Sequence, residues 1–333
     1  MYDEDDIDAA VAAGALSPEA AASLRAFVAA NRVLPEVDEE HVRLVSGFND
    51  IFVCIAAGLI LGAVMWLAGA LSGALVAVVS WGLAEYFTRR RRMALPSIVF
   101  LLTFVGGIFA AVNAAIGAGW ENGGIPLGMA GASAAAALGA YAHWRRFMVP
   151  ITVAAGAVAV TGTAVFTLAG FFPRFGLEWG SLLLFLAGLG VFALAMRWDA
   201  SDRQRLTRRS DVAFWLHLAA APLIVHPAFA ALGVLSGAGP GVPQAVAAVA
   251  VYAVLAVVAL AVDRRALLVS ALAYVLYAMA ALLRAVGTPS ASAALTALVI
   301  GAALLLLSAL WHRTRVALVG RLPAVIRAAL PAI

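Results

Sequence analysis

The sequence predicts an all-α fold: a polytopic integral membrane bundle of about ten transmembrane helices, with a small N-terminal cytoplasmic helical hairpin and a C-terminal interfacial amphipathic helix. Three observations predict it. Of the 333 residues, 64% are hydrophobic and only 12% charged, which leaves too little polar surface to keep a soluble domain of this size in solution. The chain contains ten apolar stretches, each about 20 residues long, the length a helix needs to cross roughly 30 Å of hydrocarbon. The basic residues also alternate from gap to gap. All 22 are Arg, and 20 of them fall in every second gap or in the tails, the asymmetry that places those gaps and both termini in the cytoplasm.

The chain opens with Met1, Tyr2, Asp3, Glu4, Asp5 and Asp6, which lack the basic and early apolar runs of a secretory signal. Residues 1–48 read as a hairpin followed by an acidic linker. A first helix over 3–13 is stopped by Gly14. A second runs from Ser17 to about Asn31, with Ser17 as cap, Pro18 at the first helical position and Glu19 at the positive end of the dipole. In that helix Ala20, Leu24, Phe27 and Val28 share a face too small to be a core alone. It is expected to dock on the membrane region or on a protein partner.

The succession Gly14, Ala15, Leu16, Ser17, Pro18, Glu19, then a short helix, an acidic linker and Phe48, Asn49, Asp50, Ile51, Phe52 resembles the start of a bacterial family of predicted polytopic membrane proteins of unknown function. The similarity covers about the first fifth of the chain and implies no activity.

Residues 49–311 form the membrane domain, with spans at 50–68, 70–88, 95–117, 124–142, 147–170, 179–197, 212–235, 243–262, 266–286 and 291–311. The inner gaps carry Arg89 to Arg92, Arg145 and Arg146, five Arg between Arg197 and Arg209, and Arg264 with Arg265. The outer gaps carry only Arg174 and Arg284. Trp144, Trp198 and Trp311 sit beside cytoplasmic Arg, as an aromatic belt does. Glycine pairs four apart (Gly58 and Gly62, Gly69 and Gly73, Gly124 and Gly128, Gly233 and Gly237) are expected to let helix backbones approach. Residues 312–333 interleave Arg313, Arg315, Arg321 and Arg327 with apolar positions, which predicts a helix lying in the interface with its arginines toward anionic headgroups.

Ionisable groups at membrane depth are the default functional candidates, and the seventh span holds most of them. His217, Pro222, His226 and Pro227 all lie within it. The prolines are expected to kink the helix and free the carbonyls of Leu218 and Leu223, a pattern suited to a midplane substrate or proton path. The nine residues between the histidines correspond to about 900° of rotation and about 13.5 Å of rise, so the pair cannot hold one metal ion unaided. Structural histidines bonded to neighbouring carbonyls are the plainer reading. Asn113 in the third span reads as interhelical glue or substrate contact, and Glu85 as an ion-pair partner of Arg89 or a site residue. Asp50 and Asp211 begin helices as caps or dipole partners. Thr152, Thr161, Thr163 and Thr167 are placed to bond their own helix, and His41, His143 and His312 read as cytoplasmic or interfacial. The external segments 120–124 and 171–174 read as turns or a shallow vestibule.

Cys54, the single cysteine, reads as a packing residue. Gly-x-Ser-x-Gly, His-Glu-x-x-His and phosphate-loop motifs do not occur, so the expectation is a non-enzyme with no cofactor and no metal. Membrane lipids are the expected partners and nucleic acid is not. The function expected is a transporter-like or channel-like protein of the bacterial inner membrane moving a small or amphipathic molecule. The alternative is a membrane scaffold docking a partner.

Overall fold

The computed structural model describes residues 4–31, 48–117, 125–203, 205, 207–234, 241–285, 292–324, 327, 330 and 331, and every regular element among them is helical. Segments 118–124, 235–240 and 286–291, which contain the expected turn at 120–124 as well as Gly124 and Gly237, lie outside the described residues. The chain divides into a unit Met1–His41 and a unit Val42–Ile333.

The first unit is a hairpin of α1 (Glu4–Ala12) and α2 (Pro18–Asn31). Gly14 turns the chain at φ +71°, a left-handed conformation that costs glycine little. The Ser17 hydroxyl oxygen accepts the N–H of Ala20 at 3.1 Å, capping α2 as its position predicts. Arg25 on α2 donates to Asp8 on α1 at 2.7 Å. The expected apolar face is turned the other way: Ala21 is buried, whereas Leu24 and Phe27 are 42% and 66% exposed.

The second unit is a multi-pass membrane domain. It comprises α3 (Phe48–Leu67), α4 (Ser72–Ala84), α5 (Ala94–Gly117), α6 (Ile125–Phe147), α7 (Ile151–Phe171), α8 (Pro173–Ala200), α9 (Arg208–Ala231), α10 (Val242–Val262), α11 (Ala266–Ala285), α12 (Ser292–Ala309) and α13 (Trp311–Gly320). A 3-10 turn over Gly69–Leu71 precedes α4 and a π-turn over Glu85–Arg90 extends it. Nine of the described helices are long and apolar enough to cross a membrane. A further pair, Ala293–Ala309 and Trp311–Gly320, meets at 71° and is long and apolar enough only when its two helices are counted as one, so the described residues hold nine or ten candidate spans. The bend falls where the apolar run gives way to Trp311, His312 and Arg313, so α13 leaves the direction of α12 as charge enters the sequence.

One turn and one glycine pairing differ from the sequence reading. The turn at Phe171–Arg174, expected to be external, shrinks to a single non-helical residue, Phe172, because Pro173 can start α8 at once. A Cβ placed on Gly176 would meet Ala169 Cα at 2.9 Å, so glycine closes that turn. Of the glycine pairs, Gly58 and Gly62 face open space while Gly73 is crowded. The partner of Gly73 is Gly107 on α5 rather than Gly69, which sits in the turn at φ +52°.

α9 is the most enclosed span: half of it is buried, against 17–39% of the others. Val225 and Phe229 pack with Ala245, Ala248 and Ala271 of α10 and α11. Val212, Leu216 and Ala220 pack with Ala154, Val191 and Ala195 of α7 and α8.

Candidate functional site

The structure corrects the seventh-span reading first. α9 is a continuous helix with Pro222 and Pro227 both inside it, so no break separates two half-helices. A proline removes one N–H, and a helix held by packing on several sides tolerates that loss. Its cap is Thr207, whose hydroxyl oxygen accepts from Arg209 N–H at 3.2 Å, and Asp211 lies in the first turn, which fits the dipole-partner alternative of its reading.

His217 is fully buried, with Nδ1 donating to the carbonyl of Ala213 at 2.8 Å and the ring edge against Phe192. His226 is exposed, and its Nδ1 lies 2.8 Å from the Tyr274 hydroxyl of α11. The imidazoles therefore have different neighbours and share no cavity. Pro222 is exposed. Asn113 is half-buried on α5 and makes no hydrogen bond to another helix among the described residues. Glu85 reaches Arg89 at 3.5 Å as its spacing predicts, yet its closer partner is Arg146 of α6, bonded at 2.6 and 3.0 Å. This ion pair ties the end of α4 to the end of α6. Thr163 and Thr167 donate to the carbonyls of Ala159 and Thr163 in their own helix, whereas Thr152 lies 3.3 Å from His143 Nδ1. His143, two residues before Arg145 near the end of α6, is fully buried among Trp81, Phe104 and Phe147.

The second feature was missed by the sequence reading: a buried charge cluster at the Arg-bearing end of α8 to α13. Asp199, in the last turn of α8, accepts from Arg264 Nη2 at 2.6 Å and Nε at 3.4 Å. Arg264 also donates to the Ser210 carbonyl at 3.1 Å. Asp263 accepts from Arg205 at 2.8 Å and from the indole N–H of Trp311 at 2.6 Å, with Arg315 Nε at 3.7 Å.

The backbone explains why an aspartate is there. Asp263 follows α10 in the left-handed conformation (φ 60°, ψ 47°), and Arg264 N–H returns to the Ala259 carbonyl at 2.9 Å. That is the glycine-type helix stop, and Asp is among the few other residues that accept it. Its side chain then grips α13. Arg203 donates to the Leu330 carbonyl at 3.0 Å and Arg315 to that of Pro331 at 3.0 Å, pinning the C-terminal segment. Trp311 and Arg315 are therefore buried anchors, not a belt residue and a headgroup-facing arginine, with the indole N–H on Asp263 and the guanidinium on the Pro331 carbonyl. Carboxylates immediately beside arginines at two span ends, Asp199 after Arg197 and Asp263 before Arg264, were the readable signal.

The third feature is a lateral groove of about 530 Å³ between α5, α7 and α9 over a floor of α6. Ser133 and Ala136 of the floor and Ala154 of the α7 wall are buried, while Leu102 and Val158 at the rim are 51% and 44% exposed. It extends along α7 from Ile151 to Phe166, about 22 Å of helix rise. Of the lining side chains only Ser133 and Trp215 carry a polar atom. Such a surface can hold an apolar chain by dispersion and exclusion of water, and it offers an ion nothing to replace its hydration shell. Among the described residues no three His, Cys, Asp or Glu side chains gather in a metal-binding arrangement.

Comparison with models of known families, with curated proteins and with solved structures returns no match.

Proposed function

We propose that the protein is a transporter-like membrane protein that takes a chain-bearing amphipathic molecule into the groove between α5, α7 and α9. The observation that carries this reading is the groove itself: 530 Å³, open to the side of the bundle, lined almost wholly by apolar atoms and as long as an extended acyl chain. The groove is preferred to the seventh-span histidines as the site because His217 Nδ1 bonds the Ala213 carbonyl and His226 Nδ1 faces the Tyr274 hydroxyl, partners that favour structural roles. The role is one of binding and transfer, with no reaction assigned. The membrane is taken to be a bacterial inner membrane with both termini cytoplasmic, a reading supported by the distribution of arginine.

The test is photo-crosslinking with a phospholipid carrying a diazirine on its acyl chain, read by peptide mapping, in the wild-type protein and in Val158→Trp. Val158 is at the rim, so the larger ring plugs the groove without overfilling the core. Labelling of α5 and α7 peptides should fall about tenfold in the variant, a loss of about 1.4 kcal/mol of binding. Equal labelling of all lipid-facing helices, unchanged by the substitution, would mean ordinary annular lipid and end the proposal.

A second reading, a scaffold that docks a cytoplasmic partner, is favoured by the exposure of Leu24 and Phe27 on one face of α2. Under that reading Phe27→Ser abolishes partner capture and leaves the groove labelling unchanged.

A further inference from the structure

At the other side of the cluster, a small cavity of about 150 Å³ lies between α10, α11 and the corner where α12 meets α13. Its walls are Leu268, Leu272, Leu304 and Leu307, and its mouth carries Arg265 and Trp311. Five arginines gather around this end, Arg203, Arg205, Arg264, Arg265 and Arg315, against two buried aspartates, Asp199 and Asp263. Four of the five are engaged by a carboxylate or a carbonyl. Arg265 differs: its guanidinium carbon stands 4.9 Å over the Trp311 ring, and no carboxylate lies within ion-pair reach of it among the described residues. Because the Trp311 indole is held by Asp263, the ring is a fixed platform and Arg265 is pre-placed on it. Farther along α10 the Tyr252 hydroxyl, also lining the cavity, is buried with no hydrogen-bond partner among the described residues.

We propose that this cavity binds an anionic phospholipid. The phosphate sits on Arg265 and an acyl chain runs inward along Leu268, Leu272 and Leu304. Arg265, with no carboxylate within ion-pair reach among the described residues, selects an anion, and the leucine walls select a lipid over free phosphate. This site shares no residue with the groove of the proposed function and stands without it.

Purified full-length protein is delipidated in detergent and titrated with phosphatidylglycerol, phosphatidylcholine or inorganic phosphate, with retained lipid counted by native mass spectrometry. Wild type should retain phosphatidylglycerol about fivefold better than phosphatidylcholine, the contribution of one arginine beside an anionic headgroup. Arg265→Gln should erase the preference. Val269→Trp, at an exposed position of the cavity lining, should block retention with Arg265 intact and with folding kept. Arg90→Gln, in a different Arg-bearing loop, should change nothing. Three outcomes overturn the proposal: undiminished preference in Arg265→Gln, equal loss in Arg90→Gln, or displacement of the lipid by millimolar inorganic phosphate.

Discussion

Removal of the Asp199 carboxylate should be among the most damaging single changes in the membrane domain. Arg264 is 2% exposed and Asp199 1%, so neither charge has water to fall back on. Asp199→Ala deletes two of the three hydrogen bonds to the guanidinium, at 2.6 and 3.4 Å, and leaves only the Ser210 carbonyl at 3.1 Å. A buried charge stripped of its partner costs about 3–5 kcal/mol, and Asp199→Asn, which keeps one acceptor, should fall at the lower end. At about 2–4 °C per kcal/mol for chains of a few hundred residues, the expected fall in melting temperature is roughly 6–20 °C.

The decisive comparison is a double-mutant cycle with Arg264→Met, because replacing both charges removes the desolvation cost along with the attraction. The double variant should melt above either single variant, with a coupling of at least about 2 kcal/mol. Melting would be followed by size-exclusion recovery of the detergent-solubilised protein after heating. If Asp199→Ala lowers the midpoint by under about 3 °C, or the double variant shows only the sum of the singles, then the pair is not a buried clamp and the reasoning fails.

Gly73→Ala places a Cβ 2.6 Å from Ala111 N and 2.8 Å from the Gly107 carbonyl. Both are backbone atoms that cannot rotate away, so α4 and α5 should separate at a cost of about 1–3 kcal/mol, whereas Gly58→Ala should be neutral in the same thermal assay. At Asp263 the two roles separate: Asp263→Gly and Asp263→Asn keep the left-handed stop but lose the charge, while Asp263→Ala also strains the backbone by roughly 1 kcal/mol and should melt lowest. Equal melting of all three would show that the backbone conformation is irrelevant. Topology reporters fused after Asn122, Arg174 and Gly239 should read external and those after Arg92, Gln204 and Arg265 internal; two reversed readings would overturn the assigned orientation.

The helices themselves were legible because hydrocarbon thickness fixes span length and any 20-residue apolar run announces it. Caps were legible too: Ser17 and Gly14 act through their own local backbone, so sequence neighbours suffice. The charge cluster was not, because whether Asp263 points into the bundle depends on α13 returning across it, 48 residues later. Trp311 was misread as belt for the same reason. Pro222 was overread: a breaker in an isolated helix is absorbed in one packed on several sides. The groove was illegible in principle, since Ala154, Ala155 and Ala159 look the same in sequence whether a neighbouring helix fills the space beside them or leaves it empty.

The position of the groove follows from how the two halves of the bundle are joined. Helices α3 to α6 hold together by close approach, as at Gly73 and Gly107, and by the aromatic packing of Trp81, Phe104 and Phe147 around His143. Helices α8 to α13 are fastened by the Asp199 and Asp263 cluster and by the core around Phe229. α7 packs on both sets, against α6 on one side and α8 and α9 on the other, and its small residues give few side chains long enough to fill the space between. Trp215 of α9 reaches across to the cluster of Leu101 and Ile151, closing the Arg-bearing end of the seam. A molecule seated in the groove touches α5 from the first set and α9 from the second. Its binding energy therefore depends on the spacing of the two halves, and a change in that spacing changes the fit. A cysteine pair that draws α5 and α9 closer than this spacing should lower groove labelling, and reduction should restore it; labelling unchanged by such a crosslink would refute the dependence.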